Sequence, residues 1–209
     1  MSDIVHPLWI EPWPLLLASA SASRAAVLRA AGLPIDVLPA SIDERGVEAD
    51  CAREGQEPPL IALSLACAKA LAISREHPSR VVLGADQILA AGYERLHKPR
   101  SLVEARRQIL RLQDGTHSLH SAAAIAVNGE ILDTCVDSAH LTMRAISEEF
   151  LDRYLAVAGD AILGCVGGYQ LEGAGVHLFS RIEGNHFTVL GLPLLDVLAI
   201  LRKRGFIIR

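Results

Sequence analysis

The chain has 209 residues, of which 51% are hydrophobic and 21% are charged, so we expect a folded globular protein with one domain or two lobes. The net charge of −4 excludes the broad basic surface that nucleic-acid binding requires. An anionic ligand would therefore need a few cations placed in a local pocket.

We expect a single domain over 1–209, with residues 1–13 as an N-terminal extension. The extension contains acids and prolines but no basic region, so no signal peptide is expected. No uninterrupted apolar run reaches about 18 residues, so we also expect no membrane span. The cysteines lack a C-x-x-C pair, which is typical of reduced thiols in a cytoplasmic protein. They are Cys51, Cys67, Cys135 and Cys165.

The first half of the chain alternates strands and helices. The pattern predicts a buried strand at 15–18 and a helix over 23–31 that Gly32 ends. The segment "IDVLPASIDE" predicts a strand and then a loop. Residues 45–57 are polar and contain two glycines, which favours a mobile loop. "PPLIALSLACAKALAISREHP" predicts a long helix between prolines, and "RVVLGADQILAA" predicts a central strand that is apolar on both faces.

The second half has stronger local signals. An S-x-x-E capping box at 101–104 predicts a helix, and Asn128-Gly129 predicts the turn of a hairpin. Ser147 starts another helix, and the glycine-rich passage 164–175 precedes a strand beginning at "VHLFSRIEG". The pattern over 193–205 predicts a closing helix. These elements together predict an α/β fold with a mixed sheet.

The turn after the first strand could bind an anion. Ser19, Ser21 and Ser23 occupy alternate positions there, and Arg24 follows them. Unsatisfied N–H groups at a helix start attract anions, small side chains leave room, and an arginine can add a bidentate contact. A redundant helix cap with a surface arginine would explain the same residues.

Two charged residues stand in apolar surroundings. Asp86 interrupts the central strand and is costly to bury unless it is paired or binds a metal, while Gly84 leaves room for a close approach. Asp86 could instead cap the strand end and face water. Lys69 is the only charge in its stretch of the long helix. It either extends to solvent along its apolar stem or points into a cleft.

Two loop segments contain the remaining candidate residues. Lys98 lies in the stiff segment "HKP" after the central strand, and the acids Asp43 and Glu44 follow the second strand. Each of these could simply be a solvated loop charge.

Taken together, the candidates suit one chemistry. Glu44 and Asp86 could hold a hard divalent cation, and Arg24, Lys69 and Lys98 could contact phosphates. This inventory predicts phosphoryl or nucleotidyl hydrolysis with Mg²⁺ or Mn²⁺. The sequence contains no P-loop, no G-x-S-x-G elbow and no H-E-x-x-H motif.

The chain resembles the Maf-like nucleoside triphosphate pyrophosphatases from about residue 15 to residue 205. Seven short motifs carry the resemblance, in the family's order. They are "LASASASR", "SIDE", "LACAKA", "LGADQ", "HKP", "GCVGGYQLEG" and "IEGNHFTVLGLPL".

The resemblance implies an elongated mixed sheet flanked by helices, with two lobes around a nucleotide cleft, in a cytoplasmic protein that often forms homodimers. It implies hydrolysis of a nucleoside triphosphate to the monophosphate and pyrophosphate, which removes non-canonical nucleotides. Asp86 would accept the proton, and Glu44 would associate with the metal. The implied triphosphate-binding residues are Arg24, Lys69, Lys98, Ser19 and Ser21.

Three positions bear on the substrate. Gln87 and Glu172 resemble the 7-methyl-GTP pyrophosphatase subgroup, where a dTTP/UTP subgroup has Thr and Gln. A glutamate can accept hydrogen bonds from the N1–H and 2-amino groups of guanine. Ser23 departs from both subgroups, which have Trp and Arg there, and it cannot stack on a methylated purine as a tryptophan would.

Three functions stay open on this basis. The first is a pyrophosphatase for a modified nucleotide similar to 7-methyl-GTP, and the second is a dTTP/UTP pyrophosphatase. The third is a nucleotide-binding regulator of septum formation with little catalysis. The first is favoured because two of the three positions agree with it.

Overall fold

The structure is a computed structural model that describes residues 7–92 and 94–208. The strands are β1 Leu15–Leu17, β2 Ile35–Val37, β3 Val82–Ala91, β4 Glu94–Leu96, β5 Thr116–Val127, β6 Glu130–Met143 and β7 Phe179–Glu183. The helices are α1 Ala22–Ala30, α2 Glu44–Arg53, α3 Pro58–Glu76, α4 Leu102–Leu112, α5 Glu148–Ala158, α6 His186–Val189 and α7 Leu194–Arg204. Short 3₁₀ turns lie at Gly159–Gly164, Val166–Gly168 and Ala174–Leu178.

The strands form one mixed sheet in the order β2-β1-β3-β5-β6-β7, and β4 pairs with the end of β3. The pairs of β1 with β2 and with β3 are parallel, and the remaining pairs are antiparallel. Helices flank this sheet, so the predicted α/β class is confirmed. The hairpin of β5 and β6 turns at Asn128-Gly129, both with positive φ, as the sequence predicted.

The long strand β3 connects two parts of the hydrophobic core. Leu83 and Ala85 belong to a core formed with β1, α1 and α7. Leu89 belongs to a second core formed with α4, α5 and the far ends of β5 and β6. Asp86 and Gln87 lie between these positions, where β3 passes from one core to the other. This arrangement gives the two lobes that the resemblance implied.

The prediction of a mobile loop over 45–57 is wrong, because most of it is helix α2. Asp43 caps this helix, and its Oδ1 accepts a hydrogen bond from the Gly46 N–H at 3.0 Å. Val47 and Cys51 lie one turn apart and pack against the core under α3. The polar composition of this segment did not indicate a helix. Its small apolar face is stabilised by packing against the core residues of α3.

Helix α3 has 19 residues and is apolar enough, by length and composition, to cross a membrane. The sequence did not predict this, because Lys69 interrupts its apolar run. Ile61, Leu65 and Ala66 on this helix pack on strands β3 and β5. It therefore has the position of a core helix.

Three smaller features bear on the sequence predictions. All four cysteines are free, as expected. In the N-terminal extension, Trp9 is buried in the α1–α7 core and forms a β-bridge with Ile207. The strand expected from "VHLFSRIEG" begins only at Phe179, because the residues before it form a 3₁₀ turn.

Candidate active site

An open cleft of about 840 Å³ lies beside the middle of β3. Its walls come from the β1–α1 turn, helices α2 and α3, the loop after β4 and the segments before β7 and after α6. The ten residues for which the sequence predicts a catalytic, binding or specificity role all line this one cleft, whereas Asp43, the neighbour of Glu44, caps α2 instead. The ten residues are Ser19, Ser21, Ser23, Arg24, Glu44, Lys69, Asp86, Gln87, Lys98 and Glu172.

Three charged side chains meet at the floor of the cleft. The Lys69 Nζ lies 2.5 Å from the Asp86 Oδ1 and 2.7 Å from the Glu44 Oε1. Gly84 permits this meeting, since a Cβ there would lie 2.1 Å from the Ala66 carbonyl oxygen of α3. Gly84 therefore allows helix α3 to approach strand β3 closely. Lys69 is buried in an ion pair and does not extend to solvent.

The two carboxylates have the donor chemistry of a hard divalent cation. One oxygen of Glu44 and one of Asp86 lie within 2.7 Å of the Lys69 Nζ, so the two carboxylates are close together. Mg²⁺ is usually held by one or two carboxylates together with substrate phosphates and water. Within residues 7–92 and 94–208 no group of three or more His, Cys, Asp or Glu is placed to hold a metal ion by itself. The donor set thus suits an ion that arrives with a phosphate ligand.

The serine turn holds a buried arginine. Ser21 caps α1, and its Oγ accepts a hydrogen bond from the Arg24 N–H at 3.3 Å. The Arg24 Nη1 donates to the Ser19 Oγ at 2.8 Å and to the Ala85 carbonyl at 2.9 Å. Its Nε donates to the Gly191 carbonyl at 2.7 Å. Arg24 is only 8% exposed, so it is not the surface arginine of the simpler interpretation.

The charge of Arg24 is only partly compensated. Its hydrogen-bond acceptors named above are neutral oxygens. Burial lowers the pKa of the Arg24 guanidinium, and the charges of Asp86 and Glu44 raise it. A buried cation is costly unless an anion or a complete set of acceptors stabilises it. An anionic ligand in the cleft would supply that stabilisation.

Two of the predicted specificity residues contact the backbone at the end of α6 and just after it. The Ser23 Oγ donates a hydrogen bond to the Leu190 carbonyl at 3.0 Å. The Gln87 Nε2 donates to the carbonyls of Thr188 at 2.9 Å and Val189 at 3.2 Å. Both polar groups therefore have protein partners next to the cleft.

Lys98 and Glu172 are exposed on the wall of the cleft. The charges of both act on the Cys165 thiol. Burial raises the pKa of this thiol, a hydrogen bond with the Gln170 side chain lowers it, the charge of Glu172 raises it and the charge of Lys98 lowers it. The cleft wall thus carries a cation and an anion that both act on this thiol.

The segment 164–172, which carries Glu172, is held from behind. The Tyr154 hydroxyl donates to the Gly168 carbonyl at 3.1 Å. The Tyr169 hydroxyl shares a hydrogen bond of 2.6 Å with the Nε2 of buried His117. Sequence reasoning did not find these two contacts, because they join residues far apart in the chain.

Sequence reasoning also missed part of the cleft wall. Glu48 lies one turn after Glu44 on α2 and also lines the cleft. Its Oε2 is 3.7 Å from the Arg95 Nη1 and 4.0 Å from the His97 Nε2. Residues four apart lie on the same face of a helix. Had a helix been predicted for this segment, the spacing of Glu44 and Glu48 would have indicated that both face the cleft.

Comparison with known proteins shows which family the chain belongs to. A family model described as Maf-like protein matches residues 14–204. A protein of Nitrobacter hamburgensis named nucleoside triphosphate pyrophosphatase is 47% identical over 201 residues, which are 96% of this chain and 98% of that protein. A protein of Rhodopseudomonas palustris with the same name is 48% identical over 197 residues, 94% of this chain and 96% of its own.

A third relative carries a more specific name. A protein of Mesorhizobium japonicum named 7-methyl-GTP pyrophosphatase is 46% identical over 193 residues, which are 92% of this chain and 97% of that protein. The family model spans nearly the whole chain, and these relatives share almost half of its aligned residues. The chain therefore belongs to the Maf-like protein family.

Proposed function

We propose that the chain is a nucleoside triphosphate pyrophosphatase, which hydrolyses its substrate to a nucleoside monophosphate and pyrophosphate. The observation that carries the proposal is the ion triad of Lys69, Asp86 and Glu44 beside the buried Arg24 in one cleft. Relatives with nearly the same length and almost half of the aligned residues identical bear this name.

In this proposal Asp86 accepts the proton of the attacking water. The new bond forms between the water oxygen and the α-phosphorus, the bond from that phosphorus to the bridging oxygen breaks, and pyrophosphate leaves. Lys69 holds the Asp86 carboxylate in place at 2.5 Å. A positioned carboxylate that removes a proton contributes about 10² to 10⁴ in rate.

The phosphates are held by the cations of the cleft. Arg24 and Lys98 both line the cleft, and Ser19 and Ser21 lie in the turn between β1 and α1. These groups stabilise the charge that builds up on the leaving pyrophosphate. Glu44 and Asp86 would hold Mg²⁺ or Mn²⁺, which supplies charge neutralisation at the phosphate oxygens when bound.

For the substrate we propose a modified nucleotide similar to 7-methyl-GTP. Glu172 is exposed in the cleft and can accept hydrogen bonds from the guanine N1–H and 2-amino groups. Gln87 and Glu172 match the corresponding subgroup, and one relative carries that name. A pyrimidine triphosphate such as dTTP or UTP is the second candidate, because Ser23 provides no aromatic ring for a methylated purine.

The test is pyrophosphate release with Mg²⁺ from 7-methyl-GTP, GTP, dTTP, UTP and CTP, with the monophosphate identified as the second product. We expect the highest kcat/KM for 7-methyl-GTP. Preference for dTTP or UTP would favour the second candidate. Tight binding of a nucleotide without release, beside an active family member as control, would contradict the enzymatic proposal and favour a regulatory protein.

A further inference from the structure

The backbone carbonyls of residues 188–191 each accept a hydrogen bond from a side chain that lines the cleft. Gln87 donates to the first two, at 2.9 and 3.2 Å. Ser23 donates to the third at 3.0 Å, and Arg24 donates to the fourth at 2.7 Å. The two predicted specificity residues and the phosphate-binding arginine therefore share one partner.

The sheet holds the start of the same segment. The Ser121 Oγ donates to the Thr188 carbonyl at 2.8 Å, and the Thr188 Oγ1 donates to the Asp137 Oδ2 at 2.5 Å. Thr188 and Ser121 are fully buried. The segment is thus fixed to β5 and β6 at one end and to Arg24 at the other.

Gly191 is where the contacts converge. Its φ of +95° suits glycine, and a Cβ there would lie 3.4 Å from the Arg24 Nε and 3.6 Å from the Gln87 Oε1. The Arg24 guanidinium and the Gln87 amide are thus packed against the same glycine. A shift of this backbone would move the carbonyl that orients the guanidinium.

We propose that Ser23 and Gln87 are positioning residues for Arg24, which act by fixing the 188–191 segment. The Ser23 hydroxyl donates to the Leu190 carbonyl, and the Gln87 Nε2 has three protein acceptors, namely the carbonyls of Thr188 and Val189 and the Ser121 Oγ. A base edge could use these donors only if such bonds broke. Glu172, which lines the cleft and is exposed, is then the residue that distinguishes bases. This inference rests on the proposed pyrophosphatase function for the role of Arg24 at the phosphates.

The kinetic test compares Gln87→Met, Ser23→Ala and Glu172→Gln on 7-methyl-GTP and on UTP. We expect Gln87→Met to lower kcat/KM on both nucleotides by the same factor, about tenfold or more, and Ser23→Ala by about fivefold, the effect of one hydrogen bond. Glu172→Gln should change the ratio between the nucleotides. A changed ratio in Gln87→Met, with an unchanged rate on one nucleotide, would overturn the inference.

Two further measurements, ligand binding and hydrogen exchange, do not depend on catalytic turnover. Binding of inorganic tripolyphosphate, which has no base, should weaken about tenfold in Gln87→Met and about fivefold in Ser23→Ala. Hydrogen exchange of the amides in 186–192 should accelerate in both. Ser118→Ala is the matched control, because it removes one serine hydrogen bond, to His140, outside the cleft.

These readouts separate the two proposals. If the wild-type protein hydrolyses neither nucleotide, the proposed function fails, while tripolyphosphate binding and exchange still test the positioning role. Unchanged tripolyphosphate affinity and unchanged exchange in both variants would contradict the inference even in an active enzyme.

Discussion

At the scale of single residues, the cleft combines charges that would be costly to bury apart. Lys69 is 7% exposed and is stabilised by two carboxylates, whereas Arg24 is 8% exposed and is held by neutral oxygens. Removing one partner of a buried ion pair leaves the other charge without compensation. Substitutions that keep the shape of a side chain therefore test chemistry better than truncations do.

Asp86→Asn keeps the shape of the side chain and removes its negative charge. We expect kcat for pyrophosphate release to fall by about a hundredfold or more, because an amide cannot accept the proton of the attacking water. Asp160→Asn, at an exposed position outside the cleft, is the control and should retain activity. Full activity of Asp86→Asn would refute the assigned role.

His117 should make stability depend on pH. Burial lowers its pKa from the ordinary 6.5 to about 4. At pH values between about 4 and 6.5, His117 binds a proton in the unfolded chain but not in the folded protein. The free energy of unfolding therefore falls as the pH decreases through this window, by at most about 1.4 kcal/mol per pH unit.

Urea denaturation of His117→Gln at about pH 5 and about pH 7 measures this contribution. The loss of stability on acidification should be smaller in the variant than in the wild-type protein. The exposed His177→Gln is the control and should behave like wild type. Equal pH dependence in wild type and His117→Gln would show that His117 titrates normally.

At the scale of elements, the contact of α3 with β3 creates the site. Gly84 removes the side chain that would collide with the backbone of α3 at Ala66 and Ala70. Helix α3 then places Lys69 beside Asp86, and Glu44 of α2 pairs with the same lysine. The ion triad is thus a consequence of close helix–sheet packing.

Gly84→Ala should destabilise the protein by about 3 kcal/mol, since its Cβ would lie 2.1 Å from a backbone oxygen that cannot move freely. It should also lower activity in the protein that remains folded, because α3 carries Lys69. Gly115→Ala is the control, as its Cβ would meet nothing closer than 3.4 Å. Urea midpoints measure both, and equal midpoints would argue against the packing account.

The sequence predicted elements with strong local signals. The caps at Ser101 and Ser147 and the turn at Asn128-Gly129 depend on neighbours within a few residues, and all three form as expected. Helix α2 was not predicted, because its apolar face is small and is stabilised by packing against α3, a contact that local sequence does not encode. The partners of Arg24 could not be predicted, since Gly191 is 167 residues away in the chain.

At the scale of the whole molecule, charge placement matters more than total charge. The chain carries −4, yet its cleft is lined by six Lys or Arg and five Asp or Glu side chains. The cations are Arg24, Arg45, Lys69, Arg95, Lys98 and Arg100. An anion is therefore expected to bind through specific contacts in the cleft, and its affinity should depend only moderately on salt.

Hydrolysis in water enriched in oxygen-18 shows which phosphorus the water attacks. If water attacks the α-phosphorus, the label enters the nucleoside monophosphate and the released pyrophosphate is unlabelled. Label in pyrophosphate, or release of orthophosphate in its place, would contradict attack at the α-phosphorus.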